Sequence, residues 1–167
     1  MNKQFGLMAS IGVLSAMIVA TPGCSTPASQ PAPSTPLPQG VFSTTDDCDI
    51  RTTSPSGGQT TEPQTLSIAF EINDRGVLIV LGEEIAVGRT VTLEGLQITY
   101  TRIEATANGV IIHSTLSGSV NNVSFSGTAI ATLDTTEAGA IEYEITQTLL
   151  GSDGSLTNMG CTFILVP

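Results

Sequence analysis

Apolar and polar residues alternate one by one along much of this chain. Across residues 65–73, Leu66, Ile68, Phe70 and Ile72 fall on one side of an extended backbone; Ser67, Ala69, Glu71 and Asn73 fall on the other. A period of two puts every second side chain on the same face, which predicts a half-buried β-strand. Asn73-Asp74-Arg75-Gly76 then reads as a turn into a second apolar run, residues 77–81. Residues 141–150 repeat the alternation, with Ile141, Tyr143, Ile145 and Leu149 opposite Glu142, Glu144, Thr146 and Thr148. No segment carries a sustained stripe at the helical period, and Thr, Val and Ile are abundant.

Two tight turns predict register. Asn108-Gly109 suits a type I′ hairpin, whose two central residues need positive φ. Asn121-Asn122 is a weaker version, because asparagine tolerates that region. Two-residue loops at both places put Ala107 opposite Val110 and Ala105 opposite Ile112, then Gly118 opposite Phe125 and Leu116 opposite Gly127. The result is one apolar face carrying Ala105, Ile112, Leu116, Val120, Phe125, Ala129, Ala131 and Leu133, backed by a Ser/Thr ladder. A slip of one residue would reverse both faces, so turn chemistry and patterning support the same register. Upstream, Leu96, Ile98 and Tyr100 have the wrong parity for the face that Ile103 and Ala105 continue. A bulge near Thr101-Arg102 would correct it, since one extra residue flips parity.

The expected fold is all-β: an antiparallel meander of about eight or nine strands, closing as a β-barrel or a two-sheet β-sandwich. Residues 41–167 are long enough for one domain with one core.

The N-terminus departs from this pattern. Lys3 is followed by an apolar stretch from Phe5 to Ala20 and then Thr21-Pro22-Gly23-Cys24. Gly6, Ser10, Gly12 and Ser15 interrupt the stretch and no basic cluster follows it, so residues 1–23 read as a cleavable signal peptide. At the cleavage point the sequence resembles bacterial lipoproteins, whose signals end in an aliphatic residue, two small residues and a cysteine. Gly23 and Cys24 match that motif, whereas Pro22 is unusual and Thr21 stands where leucine is common. The resemblance covers residues 1–24 and implies a diacylglycerol thioether on Cys24, cleavage before it, and a membrane partner reached through that lipid. A plain secretory signal with Cys24 as a free thiol is the alternative.

Three cysteines is an odd number for an exported protein. With Cys24 lipidated, Cys48 and Cys161 remain to form a disulfide in an oxidising compartment, the alternative being two buried thiols. Two isolated cysteines and one histidine lack metal-ligand spacing, so no metal or other cofactor is expected.

Residues 24–40 hold the lipidated cysteine and a tether with five prolines among Ser, Thr, Ala and Gln. Proline removes amide donors and fixes φ, so this segment builds no core and acts as a semi-rigid spacer. Without the signal peptide, Arg51, Arg75, Arg89 and Arg102 face fifteen carboxylates, for a net charge of −11. Such a field repels nucleic acid, which is not an expected partner.

Candidate chemistry is sparse. His113, the only histidine, falls opposite Glu104 on the polar face, where a cross-strand ion pair outweighs a hydrolase built on His113 and Glu104; no nucleophile elbow accompanies it. Asp46, Asp47 and Asp49 lack the spacing of a calcium loop and read as a solvated strand edge. Gly151-Ser152-Asp153-Gly154-Ser155 is a turn, with no lysine and no helix to make a phosphate cradle. Glu142 and Glu144 lie on the solvent face of their strand, where charges oppose sheet aggregation. One combination points inward. Ser114, Gly118, Gly127, Ala129 and Ala131 are small, and Tyr143 and Gln147 bring polar tips to the same face. Closed as a barrel, this face leaves a calyx for a small apolar ligand lined by Ser114, Tyr143 and Gln147; packed solid, it is a core.

The chain is thus expected to be a lipid-anchored protein of the bacterial cell envelope displaying a disulfide-stapled β-domain. That domain is read as a non-catalytic binding or structural module for a protein partner, with carriage of a small apolar ligand as the alternative.

Overall fold

A computed structural model describes residues 37–93, 95–120 and 122–167. Residues 1–36, which hold the expected signal peptide, Cys24 and most of the expected tether, lie outside the described residues, as do Glu94 and Asn121. Ten strands, rather than eight or nine, form one antiparallel sheet: β1 (Gly40–Thr53), β2 (Gln59–Ile72), β3 (Leu78–Val80), β4 (Glu83–Glu84), β5 (Thr90–Leu93), β6 (Leu96–Ala105), β7 (Gly109–Val120), β8 (Val123–Thr135), β9 (Ile141–Gly151) and β10 (Leu156–Leu165). The least legible of them are β4 and β5, which are too short to carry a repeat of the alternation.

The spatial order is β4-β3-β2-β1-β10-β9-β8-β7-β6-β5. The sheet curls into a half-barrel instead of splitting into a sandwich. Every neighbour is sequential except one: β1 lies between β2 and β10, joining the two ends of the chain. Asp46, Asp47 and Asp49 therefore sit on a central strand, not an edge. Asp47 is tied to β2 there by a 2.6 Å hydrogen bond from Thr65 Oγ1.

Parity fixes the concave face. Even-numbered residues of β1, β2 and β7 and odd-numbered residues of β8, β9 and β10 point inward, as the strand patterns require. On β6 the predicted bulge is present, with the register shifting between Tyr100 and Arg102. It lets Leu96, Tyr100 and Ile103 all be buried on one face. Ile112, Leu116, Phe125, Ala129 and Leu133 are buried as expected, while Ala105 is exposed at its strand end.

The two turns fared differently. Val120 pairs with Val123, Gly118 with Phe125 and Leu116 with Gly127, and Asn122 takes φ 65°. The first turn is displaced. Ala105 pairs with Val110, Thr106 N donates to Gly109 O at 2.9 Å, and the turn residues are Ala107 and Asn108, neither with positive φ. The reason lies in β8. A Cβ at Gly109 would sit 1.7 Å from the Leu133 carbonyl oxygen, so this glycine permits close strand approach rather than a type I′ turn. A shift of two residues preserves parity, which is why the faces survive it. The type I′ signature instead occurs between β3 and β4, where Leu81 (φ 54°) and Gly82 (φ 76°) are both left-handed.

Phe42, Phe70, Tyr143 and Phe163 form a chain of aromatic contacts with ring centroids 6.0–6.2 Å apart. Around it pack Ile72, Ile85, Leu133, Ile141 and Leu165, each with at most 2% of its surface exposed. This cluster plugs one end of the half-barrel. The disulfide between Cys48 and Cys161 joins β1 to β10. It lies between two stretches of direct pairing, Ile50↔Met159 on one side and Ser43↔Val166 on the other.

Candidate ligand cavity

Beyond the aromatic plug the concave face is hollow. A cavity of about 220 Å³ lies inside the curl, lined by side chains from β1, β2, β3 and β5 through β10. Its emptiness follows from residue size on one wall. Along β7 and β8 the inward positions include Ser114, Ala129 and Ala131, all lining the space. Where Phe125 would reach in, its ring instead covers Gly118, and a Cβ there would come within 2.6 Å of it. The adjoining wall is apolar, with Val91, Leu93, Leu96 and Ile98 on β5 and β6.

A single register row crosses the cavity and can be followed strand by strand. Glu62 pairs with Ile50, Ile50 with Met159, Met159 with Gln147, Gln147 with Ala129, Ala129 with Ser114 and Ser114 with Tyr100. The row therefore carries four polar side chains inward. Tyr143 sits four residues before Gln147 on the same face of β9. All three predicted lining residues, Ser114, Tyr143 and Gln147, thus come together around one space.

The electrostatics are those of uncharged hydrogen-bonding groups in an apolar setting. Burial pushes the Tyr100 phenol up to about 12, with the Glu83 carboxylate adding to the rise and the Arg89 guanidinium opposing it. Burial also raises Tyr143, with a further contribution from Tyr100. Desolvation disfavours the phenolate in both cases, so the two hydroxyls remain protonated. Glu62 is the one charged residue among those lining the cavity.

Tyr100, Glu62, Gln64, Thr60 and Thr52 were not singled out from the sequence. Four of them lie on the β1–β2 hairpin, where apolar residues give out. The usable signal was parity alone, carried back from Leu66 through Gln64 and Glu62 to Thr60.

The His113–Glu104 pair lies on the other side of the sheet. His113 pairs in register with Arg102, not Glu104, because of the shifted turn. The contact forms diagonally: His113 Nε2 and Glu104 Oε1 are 2.9 Å apart, and Arg102 Nη2 donates to Glu104 Oε2 at 2.8 Å. No serine or threonine hydroxyl meets the histidine ring among the described residues, and the site is a part-exposed charge network. The loop at 151–155 is a turn: Gly151 N donates to Ser155 O at 2.8 Å. Hydrogen bonds from the Ser155 hydroxyl and amide hold the Asp153 carboxyl below its ordinary value. Among the described residues no cluster of three or more potential metal ligands occurs, and no helix is long and apolar enough to cross a membrane.

No protein family, curated protein or solved structure matches the chain.

Proposed function

We propose that this chain is an exported, lipid-anchored envelope protein whose β-domain carries a small apolar ligand inside the half-barrel. The observation that carries the reading is the cavity of about 220 Å³ with its apolar wall and its polar residues Ser114, Tyr143 and Gln147. A concave, mostly apolar space with a few convergent polar groups is the usual form of a small-molecule site. One water takes about 10–15 Å³ of such space, so the room suits a ligand of roughly fifteen to twenty non-hydrogen atoms. Non-catalytic binding fits the inventory: the histidine–carboxylate pair is on the convex face, and the residues lining the cavity include no histidine and one carboxylate, Glu62.

Membrane attachment rests on other residues. Gly23-Cys24 carries the lipoprotein-like motif, and the Cys48–Cys161 disulfide leaves Cys24 as the odd thiol. The tether enters the fold at Leu37 and β1, which would hold the cavity away from the bilayer on a proline-rich stalk. A second reading, a protein-partner module, is favoured by one feature. β3 pairs only with Glu71 and Ile72 of β2, so among the described residues the outer edge of β2 before them has no strand paired to it, and an extended peptide can add to such an edge.

Native mass spectrometry of protein purified from its own envelope tests both parts. The expected result is a lipid mass on Cys24 and a second, non-covalent small molecule. An unmodified Cys24 removes the anchor, and failure to retain or bind any apolar small molecule removes the carrier.

A further inference from the structure

The cavity's polar groups are unusual in what they leave unpaired. Ser114 and Tyr100 stand opposite each other on β7 and β6. They are 8% and 6% exposed, and both line the cavity. Neither hydroxyl has a hydrogen-bond partner in the protein among the described residues; nor does the hydroxyl of Tyr143 or the amide of Gln147. These groups open on the cavity rather than being sealed off, since the one fully enclosed side-chain polar atom without a partner among the described residues is Thr135 Oγ1. An apolar ligand that displaced water from one of these cavity hydroxyls without offering a partner would incur about 1–3 kcal/mol. Valine at 114 and phenylalanine at 100 would fill the same space without that penalty. The four groups line the cavity from β6, β7 and β9, with Thr52, Thr60, Glu62 and Gln64 on the β1–β2 side and apolar residues over most of the rest.

The charges around them restrict what can fill the gap. No arginine lines the cavity, and Glu62 near its polar side is an acid. Arg89, the cation that influences Tyr100, is already held by Glu83 through Nε at 3.0 Å and Nη2 at 2.8 Å. A buried anion would have no free counter-ion, and desolvating it unpaired is far more costly than desolvating a hydroxyl or ester. A cation would find one acid on the wall, Glu62, which is exposed, so its ion pair would form at the solvent side, while the phenols stay protonated and offer it no charge. Two-chain lipids, with several times about fifteen to twenty non-hydrogen atoms, are too large for the cavity.

We propose that the ligand, on the carrier reading above, is a single-chain amphiphile with an uncharged oxygen function whose hydroxyl or carbonyl is received by Ser114 and Tyr100. The alkyl chain runs along Val91, Leu93, Leu96 and Ile98. Tyr143 and Gln147 continue the polar stripe on β9, across Ala129 of β8 from Ser114. Each hydroxyl can donate or accept, so a ligand hydroxyl, ester or amide satisfies them equally.

The test uses the chain carrying Cys24→Ser, so that no attached acyl group competes, and three probes below their micelle concentrations: 1-dodecanol, dodecanoate and dodecyltrimethylammonium. Each displaces the fluorescent hydrocarbon diphenylhexatriene in a competition titration. Dodecanol is expected to bind at least about ten-fold more tightly than either charged probe, the penalty for an unpaired buried charge exceeding that factor. The double variant Ser114→Val/Tyr100→Phe should bind dodecanol about three- to ten-fold more weakly and diphenylhexatriene unchanged, in line with loss of one or two neutral hydrogen bonds. Equal or tighter binding of dodecanoate or the ammonium probe overturns the uncharged-head inference while leaving the carrier reading intact. So does an unchanged dodecanol affinity in the double variant. Failure of all probes, diphenylhexatriene included, overturns the carrier reading itself.

Discussion

Cys48 on β1 and Cys161 on β10 lie with their Cα atoms 5.7 Å apart although 113 residues separate them in the chain. Their numbers sum to that of the flanking pairs Ile50↔Met159 and Ser43↔Val166, so the two cysteines occupy one rung of the ladder. The disulfide therefore bridges the stretch where the first and last strands have least direct pairing. Closing so long a loop removes much of the unfolded chain's freedom, nominally about 4–5 kcal/mol. The double variant Cys48→Ala/Cys161→Ala should lose stability of that order in urea unfolding. A loss below about 1 kcal/mol would mean that β1–β10 pairing alone holds the ends together.

The cavity depends on small side chains along β8. Ala129 lies between Ser114 and Gln147 in the register row and is 7% exposed. Leucine there grows into the hollow rather than into packed neighbours. Ala129→Leu should weaken diphenylhexatriene binding at least about ten-fold, while stability changes by less than about 1.5 kcal/mol. Intact binding in a folded Ala129→Leu protein would place the ligand elsewhere.

The two tyrosines set an alkaline limit. The folded-state value of Tyr100 is raised from 10.0 to about 12, and that of Tyr143 is also raised. A raised value means that the unfolded chain releases its proton first. Stability is complete below pH 10.0 and falls as pH climbs toward about 12, where Tyr100 ionises in the fold. The protein has no tryptophan and only these two tyrosines, so tyrosinate absorbance reports them cleanly. It should rise in one cooperative step coincident with loss of the β-sheet circular dichroism signal. Ionisation near pH 10 with the sheet intact would show that the phenols are open to water.

The first hairpin turn offers a local test. Asn108→Ala should change stability by less than about 0.5 kcal/mol, because Asn108 needs no left-handed backbone. Gly109→Ala should destabilise by about 1–3 kcal/mol or more, since the added Cβ meets the β8 backbone. Thermal melts of the two variants compare them directly. The reverse order would restore Asn108-Gly109 as the turn pair.

Much of the fold was readable because the period of two is a strong local signal. Leu66 to Ile72, Ile112 to Leu116 and Phe125 to Leu133 needed only parity to be assigned to the concave face. The bulge at Tyr100–Arg102 was legible for the same reason, as a break in parity with an apolar residue on each side. The β1–β2 hairpin was harder: Thr52, Thr60, Glu62 and Gln64 line a cavity and so need not be apolar. The β3–β4 turn was missed because leucine stands at position 81, where left-handed backbone would lead one to expect asparagine or glycine.

By itself the sequence determined which faces of β2, β7, β8 and β9 are buried, and that Ser114, Tyr143 and Gln147 share a side, because alternation is a local property of each strand. Tertiary structure alone decided that β1 slots between β2 and β10, that Gly109 yields to the β8 backbone, and that the curl leaves a hollow instead of a solid core. Strand order and curvature arise from contacts between residues far apart in the chain, and side-chain volume becomes a cavity only once opposite walls are held at a fixed distance.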